Sequence, residues 1–117
     1  MATVIKIKKD GELTPEYIQG KLFSFANAAH KFHLDTISFA EHKALNNFYE
    51  ALDKYKDSIL EELMGYLGGR RIGKLKMDEV PEYSKNASVE LAEEVVEFAY
   101  QLYEWAGKKD YCNVENQ

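Results

Sequence analysis

Residues 38–69 read SFAEHKALNNFYEALDKYKDSILEELMGYLGG, and this stretch decides the fold. Leu45, Phe48, Leu52, Tyr55, Ile59, Leu63 and Tyr66 recur at intervals of three and four, the inner stripe of one long amphipathic helix. Ser38 followed by Glu41 fits a capping box, with Asp35 as a rival cap one turn earlier. Gly68-Gly69 supplies the usual C-terminal stop. The pattern predicts a helix over 38–68.

Outward from this segment, the chain repeats the same logic. Thr14 can cap a first helix, with Pro15 in the first position, where its missing N–H costs nothing. Ile18, Leu22, Phe25, Ala29 and Phe32 form its stripe, so a helix is expected over 14–33 and a corner before Ser38. Residues 70–86 break the periodicity, punctuated by Gly73 and Pro81. A connection of this length is usually functional or carries a short helix. A last helix over 87–106 places Leu91, Val95, Phe98, Leu102 and Trp105 together. Residues 1–13 form an arm with an alternating TVIKIK segment, and 107–117 a loose polar tail. The predicted architecture is one all-α domain, an antiparallel helical bundle of three main helices. Four helices pack more completely than three. Fifteen aromatic rings (eight Tyr, six Phe, one Trp) also exceed what so small a core hides. Both point to a bundle completed by dimerisation.

Composition bounds the rest. With 45% apolar and 30% charged residues in 117, this reads as a single soluble domain. No run reaches the roughly 18 apolar residues of a membrane span, and the start has no signal-peptide pattern. One cysteine, Cys112, rules out an internal disulfide framework. The expected compartment is the cytoplasm, or a particle assembled there. A net charge of −5 disfavours nucleic acid and acidic membranes as partners. The basic cluster Arg70, Arg71, Lys74 and Lys76 is read as complementing a helix dipole.

The side chains that could carry chemistry are His33, His42, Asp57 and Glu61. All three histidines, His30 included, fall within thirteen residues. Imidazole and carboxylate together suit iron, zinc or manganese. On one helix, His42 and Asp57 lie about 22 Å apart at roughly 1.5 Å per residue, so no single ion reaches both. An antiparallel second copy about a two-fold axis near Tyr49 or Glu50 would bring His42 of one chain to Asp57 and Glu61 of the other. The bland reading is a solvated acidic edge on the long helix, with histidines flanking a corner.

Across about residues 30–83 the chain resembles the Dps-type mini-ferritins. The resemblance is carried by the paired histidines, by Asp57 and Glu61 at family spacing, and by LGGRRIGKLKMDEVPEY, similar to that family's Gly-Gly linker. It implies a ferritin-like bundle in which His33 and His42 of one subunit and Asp57 and Glu61 of its two-fold mate bind and oxidise ferrous iron. The chain departs from the family at Leu34 and Asn46, in a shorter hairpin and in lacking the last helix. Truncated members occur in bacteriophages, so virion proteins join homo-oligomers among the expected partners. The competing expectation is a non-catalytic structural or assembly protein, which needs only the apolar stripes and spare aromatics.

Overall fold

The computed structural model describes residues 13–69 and 71–109. The TVIKIK arm, Arg70 and Cys112 lie outside the described residues. Three helices, and among the described residues no strand, make up the chain: α1 (Pro15–Asp35), α2 (Phe39–Tyr66) and α3 (Ala87–Lys108). The all-α expectation holds.

Each boundary has a local cause. Thr14 caps α1, its hydroxyl accepting from the Tyr17 N–H at 3.1 Å. The helix runs two residues past its expected end, because Lys31 closes on Asp35 at 2.6 Å one turn on. His33, expected as the final residue, therefore sits inside the last turn of α1. Ser38 caps α2 through the Glu41 N–H at 3.2 Å. The reciprocal half of the expected capping box is missing, since the Glu41 carboxylate is engaged elsewhere. Gly68 and Gly69 take φ of 76° and 82°. Their N–H groups bond back to Gly65 and Met64 at 3.1 and 2.9 Å. That is a Schellman closure, reserved for residues without a Cβ penalty. α3 runs to Lys108, two residues past its predicted end.

The central helix is α1. It buries eleven of its 21 residues, whereas α2 buries only five of 28. α1 runs antiparallel to α2, with His33 beside His42 and Phe23 beneath Lys56. On its other side it carries α3, also antiparallel: Phe98 meets Tyr17 and Phe25, while Ala87 and Phe32 share a cleft. Consequently α2 and α3 diverge around α1 instead of packing closely on each other. The expected inner stripe of α2 is correspondingly incomplete. Leu45, Leu52, Ile59 and Leu63 are buried, but Tyr55 is 47% exposed.

Among its described residues, the connection between α2 and α3 holds no helix. Residues 71–84 form an extended strap laid parallel to α1. Gly73 exchanges bonds with Glu16 and Gln19, at 3.0 and 3.1 Å. The Asp78 N–H donates to Ser24 Oγ at 2.8 Å. Buried Lys21 closes on Asp78 at 2.6 Å. The strap lies so close at Gly20 that a Cβ there would stand 2.2 Å from the Lys76 carbonyl oxygen.

Candidate functional site

Two regions carry unusual side-chain arrangements, the corner between α1 and α2 and the face between α2 and α3. At the corner, the His33 and His42 rings stack with centroids 3.9 Å apart and planes 26° apart. His33 Nδ1 lies 3.0 Å from the His42 carbonyl oxygen, and His42 Nδ1 lies 2.9 Å from that of His33. A carbonyl oxygen only accepts, so both Nδ1 atoms carry protons and both lone pairs of the neutral rings sit on Nε2. Exposed His30 extends the array by stacking on Tyr49 at 4.5 Å.

Such a fixed tautomer suits a metal ligand in principle. The stacking opposes sharing an ion between the two rings. At this tilt and spacing the ring planes cross about 8 Å away, whereas a ring-bound ion sits only about 3 Å from the ring centre. The other two expected ligands, Asp57 and Glu61, are exposed on α2. They stand roughly 22 and 28 Å along the helix from His42. Within one chain they do not join the imidazoles, and among the described residues no group of three metal-ligating side chains converges. What the corner visibly does is mechanical: the reciprocal bonds clamp the end of α1 to the start of α2.

Beside this clamp, Glu41 gathers three hydroxyls. Its carboxylate accepts from Ser88 Oγ at 2.6 Å, from Thr36 Oγ1 and from the Tyr83 phenol. Donation by Ser88, then Thr36 and Tyr83, holds the carboxyl below its ordinary value. The hydrogen bond to Glu41 in turn pushes the Tyr83 phenol up. One carboxylate thus ties together the corner, the strap and the first turn of α3. Sequence reading assigned Glu41 to capping and missed its partners, which lie five to 47 residues away. Under the strap, burial pushes Glu94 up, opposed by the Lys21 charge.

The second region is apolar. A groove of about 160 Å³ runs between α2 and α3, floored by Leu22 and Phe25 and walled by Leu52, Ile59, Leu102 and Tyr103. Beyond it α3 continues apolar. Val89, Val96, Tyr100 and Tyr103 are each more than half exposed. The apolar residues of α3 therefore wrap about 220° of the helix, against about 100° needed for one core face. The signal was legible in the sequence as a second stripe, Val89, Ala92, Val96, Tyr100 and Tyr103, alongside the inner one.

The described residues thus define an all-α three-helix unit with a clamped corner and one uncovered apolar face. The chain belongs to DUF5856, a family of unknown function, whose model matches residues 33–117. No curated protein and no solved structure matches. This corrects the resemblance to the Dps-type mini-ferritins, since the family that matches is a different one. The Gly68-Gly69 element that supported the resemblance has its own local cause, the Schellman closure of α2. No helix among the described residues is long and apolar enough to cross a membrane.

Proposed function

We propose that this chain is a non-catalytic assembly protein that works by self-association through the α2–α3 face. The observation that carries the reading is the uncovered half of α3's apolar arc, joined edge to edge with the α2–α3 groove. An exposed contiguous apolar surface marks an interaction site, whereas scattered apolar residues do not. The polar side chains of the corner, by contrast, are spent on clamping helices together. The closing helix arrives from another copy, completing the layer that α2 and α3 leave open.

The test is light scattering coupled to gel filtration from about 1 to 200 µM, on the full chain and on Tyr103→Glu. Tyr103 is 52% exposed, so a charge there leaves the fold intact. The parent should be oligomeric, and the variant monomeric with an unchanged far-ultraviolet spectrum. A parent that stays monomeric throughout this range refutes the proposal.

A further inference from the structure

Resting on that reading, we infer that two copies join α3 to α3, antiparallel, about a two-fold axis at Val96. The outer stripe of α3 is palindromic. Val89, Ala92, Val96, Tyr100 and Tyr103 are spaced three, four, four and three. Rotation about Val96 therefore sets every stripe position opposite another stripe position, as an isologous two-fold contact can use. Val96 meets Val96 of the partner subunit. Val89 meets Tyr103 of the partner subunit. Ala92, the smallest side chain of the stripe, receives the ring of Tyr100 of the partner subunit.

Charge placement permits this pairing. α3 carries Glu90, Glu93, Glu94, Glu97 and Glu104, and its only basic residue is Lys108 in the last turn. A face that brought these glutamates opposite one another would repel. In the antiparallel register only Glu93 borders the stripe, and it falls next to Tyr100 of the partner subunit, whose hydroxyl can donate to the carboxylate. The other four lie further round the helix, toward solvent or the strap.

The area is adequate. Two tyrosines and two valines, each more than half exposed, offer on the order of 400 Å² per chain. Two copies approach the ~1,000 Å² of a specific interface, and Ala92, Ala99 and the groove edge at Tyr55 add the remainder. Tyr103 belongs to both stripe and groove, so the same pairing caps the groove.

The test is disulfide trapping on the full chain in a Cys112→Ser background. Val96→Cys places identical thiols on the axis, and mild oxidation should convert most of it to covalent dimer. Glu97→Cys, one residue round the helix, should give at least tenfold less. As a check independent of Val96, mixing Val89→Cys with Tyr103→Cys should yield a crosslinked heterodimer, while each alone yields little. If association persists and is broken by Tyr103→Glu, yet Val96→Cys crosslinks no better than Glu97→Cys and the mixture gives no heterodimer, this register is overturned and the assembly reading stands. If the parent never associates, both fall.

Discussion

Replacing Gly20 by alanine sets two effects against each other, and their magnitudes decide the sign. Gly20 lies inside α1, where alanine is favoured over glycine by about 1 kcal/mol on helix propensity alone. If the strap were absent or distant, Gly20→Ala would stabilise the protein. The new Cβ would instead stand 2.2 Å from the Lys76 carbonyl oxygen. The strap backbone must therefore retreat to a normal contact distance. Overpacking of this kind costs about 1–3 kcal/mol. The retreat also pulls on Asp78, two residues along, whose N–H bonds to Ser24 and whose carboxylate holds buried Lys21. Losing one such bond costs about 1 kcal/mol more. The balance is a net loss of about 2 kcal/mol, a fall in Tm of roughly 8 °C for a domain of this size. Thermal unfolding followed by circular dichroism measures it, and hydrogen exchange at the Asp78 amide reports the cause. A variant that melts several degrees above the parent would show that the strap does not lie on Gly20.

Glu41→Gln should leave the fold intact but flatten the acid limb of the stability curve. The folded-state carboxyl is held below the ordinary 4.5, so below that pH the unfolded chain binds more protons; the parent's extra stability is full above 4.5 and drains away as pH falls. Urea unfolding at several pH values checks this, and parallel curves for parent and variant would remove the Ser88–Thr36–Tyr83 knot as the cause. His33→Leu retains much of the apolar contact but leaves the His42 carbonyl without its donor, so it should cost about 1–2 kcal/mol in denaturant titration. Zinc or ferrous ion in modest excess should leave Tm unmoved, because stacked imidazoles cannot aim at one ion. A metal-dependent rise in Tm that disappears in Asp57→Ala plus Glu61→Ala would restore a ligand set shared between chains.

The helices were legible because their signals are local. Thr14 and Ser38 cap the predicted starts, and the glycine pair closes α2 where expected. Which helix is central was not legible. α2 is the longest and shows a full stripe, yet α1 holds the core, because α1 alone is covered on two sides and by the strap. The strap itself escaped reading: its bonds to α1 span 50 to 57 residues and several use backbone groups, which leave no periodic trace. At the corner, proximity of His33 and His42 followed from their spacing. The orientation of their rings did not, since it is fixed by carbonyl acceptors that every sequence possesses. The outer stripe of α3 is equally visible in the sequence, but the inner stripe alone is enough to predict the helix, so the outer one adds nothing to the secondary structure and bears only on what α3 presents outward.

The length of the connector has a topological consequence. Residues 71–84, fully extended, reach about 45 Å, as far as the molecule's own longest dimension of 45 Å. Length alone therefore does not dictate whose α1 a given α3 occupies. What holds α3 on its own α1 is instead the row of bonds that pins the connector along that helix, at Gly73, Asp78 and Lys21, all of which must break before the leash can extend.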